Sequence, residues 1–263
     1  MTSHEAPESA FAAADLTDDA VLGGRLRLLQ PRRGHRVGHD AILLAAATGA
    51  EGGQTAIDLG AGVGAAGLAL AARVPGLSVT LVEIDPALTA LAADNTRRNG
   101  LADRVRAVTL DVTGPADAFA QAGLAPESAD RVLMNPPFND LARHRGSPDP
   151  DRRRAHAAAG DELSAWLATA ARLLRRRGVV TVILRADRIE DVLRGFDPHF
   201  GGVVLLPVHG TDRAPAIRII ARAVKGSRAP LQLLSGCVLE RDGRPTTLAE
   251  AVLRDLAVLP LEV

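Results

Sequence analysis

With 263 residues, 47% of them hydrophobic and 24% charged, the chain can bury one sizeable core, and no apolar run reaches the roughly 20 residues of a membrane span. The 31 basic and 31 acidic residues cancel, which excludes a global positive field; a nucleic-acid partner would have to be held by a local basic patch. Cys237 is the only cysteine, which excludes an internal disulfide and a cysteine zinc site.

Residues 1 to about 20 are rich in Ala, Asp and Glu without a sustained apolar face and predict a frayed tail. They lack a basic stretch followed by an apolar one, so no secretory leader is expected and the chain reads as soluble and cytoplasmic. An N-terminal extension is expected over 21–50. In it, residues 26–30 and 35–37 form a small hairpin around the turn 31–34, and Asp40 caps a short apolar helix over 41–47. The main domain is expected over 51–263.

From Thr55 the chain alternates strand and helix. Strands are predicted at 56–59, 79–84, 105–110, 131–134 and 179–184. Asp85-Pro86 opens a helix that stops at Asn99-Gly100. Leu163, Trp166, Leu167, Ala170, Leu173 and Leu174 share one helical face, with Arg172, Arg175, Arg176 and Arg177 complementing its C-terminus. Asp187 is read as the cap of a helix to about 195. Residues 203–208 and 217–224 are strands with no helix between them, which suits an antiparallel hairpin. A strand near 231–239 and a helix from about 247 follow. These elements predict a doubly wound α/β fold: a mostly parallel, seven-stranded sheet ending in an antiparallel C-terminal hairpin, preceded by a hairpin-plus-helix extension.

The segment Asp58-Leu59-Gly60-Ala61-Gly62-Val63-Gly64 lies between a strand and a helix, where glycines let the backbone turn tightly and a ligand approach the helix N-terminus. Glu83, about 20 residues on, ends the next strand, where an acid can accept bonds from ribose hydroxyls. A pyrophosphate over this turn would be repelled by Asp58, whereas an ammonium-bearing ligand would be attracted. Asp58 therefore favours S-adenosylmethionine over a dinucleotide, unless it only anchors the loop through backbone amides. Asp111 ends the third strand; it could accept from an adenine amino group or simply start the turn before Thr113-Gly114-Pro115.

Asn135-Pro136-Pro137-Phe138 follows the fourth strand. The two prolines stiffen the loop and aim its carbonyls. The Asn135 side-chain oxygen and the Pro136 carbonyl make a pair of acceptors that suits a planar –NH₂ group, and Phe138 offers a face for stacking. The alternative is a Pro-rich turn with a core Phe.

These motifs resemble those of amino-directed class I methyltransferases with a Rossmann-like fold. The resemblance implies cofactor contacts at Asp58, Gly60, Ala61, Gly62, Gly64, Glu83, Ile84, Asp111, Val112 and Asn135, and catalysis at Asn135, Pro136, Pro137 and Phe138. The head, Gly23-Gly24-Arg25-Leu26 through Val37-Gly38-His39-Asp40-Ala41-Ile42, and the tail from Ala216-Ile217-Arg218 to Lys225-Gly226 are similar to the valine-tRNA adenine-N6 methyltransferases. That similarity implies Gly38, His39 and Asp40 over the cofactor's methionine end and an adenine beside the anticodon as target. Several relatives carry Tyr where this chain has Phe138.

Arg32, Arg33 and Arg36, then Arg143 and Arg145, then Arg152, Arg153 and Arg154 are candidates to grip RNA phosphates, although such runs also occur as solvated charge. A third group comprises Arg213, Arg218, Arg222 and Lys225. His144 and His156 lack metal-site spacing, and no metal is expected. The rival readings are a guanine-N2 rRNA or protein glutamine-N5 methyltransferase, a nicotinamide-dependent oxidoreductase, and a non-catalytic RNA-binding module.

Overall fold

The computed structural model describes residues 11–34, 36–137, 150–259 and 261, leaving aside the side chains of 150–159. Five parallel strands form its centre: β3 (Thr55–Leu59), β4 (Ser78–Glu83), β5 (Val105–Thr109), β6 (Ala129–Met134) and β7 (Leu174–Arg185). Parallel strands need both faces covered and crossovers between them. Those crossovers are α2 (Ala65–Arg73), α3 (Pro86–Arg98), α4 (Ala116–Gln121) and α5 (Pro150–Leu173). Next come α6 (Ile189–Phe196), β8 (Phe200–Thr211) and β9 (Ala216–Lys225), the last antiparallel to both β7 and β8. The order β8-β9-β7-β6-β3-β4-β5 is the expected seven-stranded, mostly parallel sheet with its reversed hairpin.

Beyond the expected seven, three short strands extend the sheet past β8, giving ten strands among the described residues. The single strand expected near 231–239 is two, β10 (Gln232–Leu233) and β11 (Cys237–Arg241), both parallel to β8; β12 (Arg244–Pro245) turns back on β11. Helix α7 (Thr247–Arg254) closes the fold, with Thr246 capping it by accepting the Ala249 N–H.

Strand alternation separates two cores. One packs Ala56, Leu81, Leu133 and Ile220 against α1 (His39–Ala47), α2, α3 and α7; the other packs Ile57, Leu59, Val132 and Met134 against α4, α5 and α6. The predicted face of Leu163, Trp166, Leu167, Ala170, Leu173 and Leu174 lies in the second core. Helix α5 starts earlier than expected, so Arg152, Arg153 and Arg154 sit on helical backbone and not on a loop. Arg175, Arg176 and Arg177 belong to β7 instead of a helix end, and Arg175 pairs with Asp130.

The N-terminal region departs most from expectation. Residues 16–20 are not tail: β1 (Leu16–Val21) pairs antiparallel with β2 (Leu26–Pro31), taking the place expected of 35–37. Two aspartates make this strand unpromising by propensity. Both are neutralised by arginines, Asp18 by Arg27 and Arg98 and Asp19 by Arg36, and Asp19 also accepts from Thr17 and Gln30. Nor does Asp40 cap α1. Gly38 occupies that position, and Asp40 accepts from Arg218 of β9 at 2.8 Å. Asp187 likewise caps nothing; it pairs with Arg185.

Leu22, Leu26 and Leu28 place the hairpin in the first core, and Leu28 has no exposed surface. Truncating it should therefore act as a core deletion. Leu28→Ala is expected to cost about 2–5 kcal/mol in urea unfolding; a loss below about 0.5 kcal/mol, typical of surface positions, would mean that the hairpin is a loose appendage.

Candidate functional site

The glycine turn after β3 is fixed by backbone amides. The N–H groups of Gly60 and Ala61 both donate to the Val82 carbonyl of β4 at 2.9 Å, and Gly64 N–H donates to Ala61 O at 2.8 Å. Gly60, Gly62 and Gly64 all have positive φ, 73°, 56° and 90°. A Cβ on Gly60 would lie 2.5 Å from the Trp166 indole, and one on Gly64 would lie 2.9 Å from Leu81. At Gly62 a Cβ would meet nothing within 4 Å, so this is where the turn opens outward.

Two acids support the turn from below and beside. Asp58 points toward α2, is 2% exposed, and accepts the Gly67 N–H at 2.8 Å. Burial raises its carboxyl to about 7, opposed by the Gly67 bond and assisted by the nearby charge of Glu83. Of the two readings of Asp58, this bond is the loop-anchoring one. Glu83, at the end of β4, accepts from Gly62 N–H at 2.8 Å through one oxygen and from Asp85 N–H at 3.0 Å through the other. Each carboxylate oxygen can accept a further bond. Ile84 beside it is 61% exposed, an apolar surface at the carboxyl end of the strand.

Asp111 is exposed, and its Oδ1 accepts from both the amide and the hydroxyl of Thr113 at 2.8 Å, the turn-initiating geometry. Val112 is buried in the second core, and its carbonyl accepts from Thr169 at 2.9 Å.

Asn135 and Pro136 follow β6 directly. Leu59 is paired with Met134 in β6 and with Val82 in β4, so Asn135, Gly60 and Glu83 are the next residues of three neighbouring strands. Asn135 Oδ1 is buried with no hydrogen-bond partner among the described residues, while Pro136 is buried and Pro137 exposed. An unpaired buried acceptor costs free energy unless a donor arrives, so this atom is a candidate to receive one. Phe138 lies outside the described residues.

Gly38, His39 and Asp40 reach this same edge of the sheet through the Asp40–Arg218 pair, since Arg218 is opposite Arg185 at the carboxyl end of β7. No side chain bond caps α1 at Gly38. Of the N-terminal arginines, Arg36 is committed to Asp19 and Thr17, Arg32 donates to Ala14 O at 2.8 Å, and Arg33 is exposed. Arg143 and Arg145 lie outside the described residues, as do the side chains of Arg152, Arg153 and Arg154.

A cleft of about 470 Å³ lies at the opposite edge, by the amino ends of β3, β4, β5 and β6, with Thr55, Ser78, Thr80 and Arg106 in its wall. Ligands of open parallel sheets bind outside the carboxyl ends, where the glycine turn and Asn135 are. Arg106 is also spent on the carbonyls of Ala122 and Gly123. Volume alone therefore does not mark the site. Asn95, which sequence reasoning passed over, donates to the Val63 carbonyl inside the turn.

Strand order, reversed β9 and a glycine turn facing an Asn-Pro-Pro loop define a Rossmann-like methyltransferase domain. The chain belongs to the methyltransferase small domain family, whose model matches residues 36–196. A tRNA1(Val) (adenine(37)-N6)-methyltransferase of Porphyromonas gingivalis is 30% identical over 60% of this chain and 61% of its own length. A release factor glutamine methyltransferase of Moorella thermoacetica is 32% identical over 60% of this chain and 56% of its own. The chain thus spans about three fifths of the curated relatives it matches. Among solved structures, an Agrobacterium tumefaciens protein described as a predicted O-methyltransferase superposes with a TM-score of 0.71 at 27% identity, covering 84% of this chain and 98% of that one.

Asp58 gives the site a pH signature. Its folded carboxyl titrates near 7 and its unfolded one near the ordinary value of about 4. Between these the folded state holds one more proton, so its stability contribution is full below about 4 and lost as pH rises through 7. Asp58→Asn keeps an oxygen for Gly67 and removes the titration. Urea unfolding at pH 5 and pH 8 should show the wild type losing a few kcal/mol more than the variant, roughly 1.4 per pK unit. Equal losses would contradict the burial of this charge.

Proposed function

We propose that the chain transfers a methyl group from S-adenosylmethionine to an exocyclic amino nitrogen, with adenine N6 of a tRNA as the favoured acceptor. The observation that carries this reading is Asn135 Oδ1, buried and without a hydrogen-bond partner among the described residues, one strand away from the glycine turn. With the Pro136 carbonyl it makes two acceptors, which match the two protons of an –NH₂ group. A hydroxyl acceptor has one proton and would leave one oxygen unmet, which argues against the O-methyl transfer predicted for the Agrobacterium relative.

The residues of the turn fit the cofactor. Gly62 allows close approach, Glu83 retains capacity to accept from ribose hydroxyls, and Ile84 offers an apolar face to adenine. In this reading Asp111 and Val112 border the adenine, Gly60, Ala61 and Gly64 shape the turn, and Gly38, His39 and Asp40 lie over the methionine end. When bound, S-adenosylmethionine supplies an electrophilic methyl on a sulfonium. Asn135 and Pro136 hold the two N–H bonds of the acceptor so that its lone pair faces the turn, and Phe138 stacks on the base. Positioning and polarisation then suffice for the attack, and the nitrogen, made acidic by its new methyl, releases its extra proton to solvent, so no strong base is needed.

The tRNA preference draws on the Porphyromonas relative, and the glutamine amide of a release factor is the second reading, drawn from the Moorella relative. Both acceptors are planar amides or amines. Exposed Arg33, with Arg32, Arg143, Arg145, Arg152, Arg153 and Arg154, would meet phosphates. An anticodon-loop adenine, already single stranded, is cheap to present.

Two substitutions test the reading. Asn135→Ala should lower transfer of labelled methyl to unmodified tRNA roughly 10²–10³-fold, the usual scale for one preorganised polar contact, while calorimetric affinity for S-adenosylhomocysteine stays near wild type. Loss of that affinity would misplace Asn135. Gly62→Ala should cost only about 1–2 kcal/mol of stability for its positive φ yet weaken S-adenosylhomocysteine, because the new methyl projects from the open side of the turn. Unchanged affinity would move the cofactor elsewhere. Binding of NADH in place of S-adenosylhomocysteine would favour an oxidoreductase.

A further inference from the structure

Asn95 on α3 and Asn99 at its C-cap bind the backbone of β2 as a neighbouring strand would. Asn99 accepts the Arg27 N–H at 2.9 Å and donates to the Arg27 carbonyl at 2.8 Å. One helical turn earlier, Asn95 accepts the Leu29 N–H at 2.7 Å and donates to the Leu29 carbonyl at 3.0 Å. The spacing is commensurate: four helical residues rise about 6 Å and two strand residues about 6.6 Å. Each amide thus satisfies one residue on the free edge of the hairpin, and the edge is closed without another strand.

The two asparagines then differ. The second N–H of Asn99 goes to the Asn95 carbonyl of its own helix. That of Asn95 goes to the Val63 carbonyl at 3.0 Å, between Gly62 and Gly64. Asn95 has no exposed surface, and its amide spends both donors and its oxygen on these three bonds. Its orientation is set by β2, and that orientation holds the turn. Leu28 and Leu26 anchor the same strand in the core below.

We propose that Asn95 is a positioning residue of the cofactor turn, which couples docking of the N-terminal hairpin to affinity for S-adenosylmethionine. The inference rests on the assignment of the glycine turn to that cofactor. A buried amide with three bonds has one arrangement that satisfies all of them; when the hairpin leaves, two of the three are lost and the bond to Val63 loses its orientation. Coupling is reciprocal, so cofactor binding must tighten the hairpin by the same factor.

The test compares Asn95→Ala with Asn99→Ala in the full chain, reading the melting temperature and S-adenosylhomocysteine affinity by calorimetry. Both variants lose three bonds and both should melt earlier. Asn95→Ala should bind S-adenosylhomocysteine about tenfold more weakly, within the usual range of coupling between sites, and Asn99→Ala within about twofold of wild type. Equal affinities in the two variants would overturn the proposal, as that pattern is what a purely structural role gives. If Asn95→Ala does not fold, hydrogen exchange on the wild type decides: the Leu29 amide should gain protection when S-adenosylhomocysteine is added, and unchanged protection overturns the coupling. Failure of the wild type to bind S-adenosylhomocysteine at all would instead remove the cofactor assignment beneath it.

Discussion

The site depends on the register of three parallel strands. Leu59 stands opposite Val82 on one side and Met134 on the other. Because neighbouring strands are about 4.8 Å apart, the residues that follow these three emerge side by side: a glycine turn, an acid and an asparagine. The methyl-transfer chemistry proposed for the chain rests on that row. Shift β6 by one residue and Met134, now buried in the second core, would have to exchange faces with its neighbours. The apolar faces of the strands therefore hold the functional row in place, and the core and the site are one constraint.

A second constraint keeps the row in shape. The turn is tied to β4 through Val82 and Glu83, to α2 through Gly64 and the Asp58–Gly67 bond, and to α3 through Asn95. Trp166 blocks any side chain at Gly60, and Leu81 blocks one at Gly64. The turn is thus braced on its buried sides and, of its three glycines, has room for a side chain only at Gly62. Preorganisation of this kind lowers the ordering cost of binding a flexible cofactor.

Much of this was legible in the sequence because it is local. Strand, glycine turn and helix follow each other within residues 56–72, and Asp85-Pro86 to Asn99-Gly100 brackets α3 by caps alone. The mostly parallel sheet with its antiparallel hairpin followed from alternation and one helix-free connection, whereas the order of its strands came only with the structure. What local reading missed were elements whose stability is tertiary. Strand β1 carries Asp18 and Asp19, which look like loop until arginines from β2, α3 and the following segment neutralise them. Residues 175–177 read as a basic helix end, yet Asp130 draws Arg175 into a strand. Asn95 gave one faint signal: a poor helix former in mid-helix, four residues before another asparagine, is often held there by bonds of its side chain. What it bonds to, β2 and Val63, is set by contacts 66 and 32 residues away in sequence.

The most direct measurement is a crystal structure with S-adenosylhomocysteine. The ligand should lie over Gly60–Gly64 at the carboxyl edge of the sheet, with its ribose hydroxyls on Glu83 and its sulfur facing Asn135. Density for it in the cleft at the opposite edge, beside Thr80 and Arg106, would contradict the account, and so would a complex in which Asn135 is turned away from the ligand.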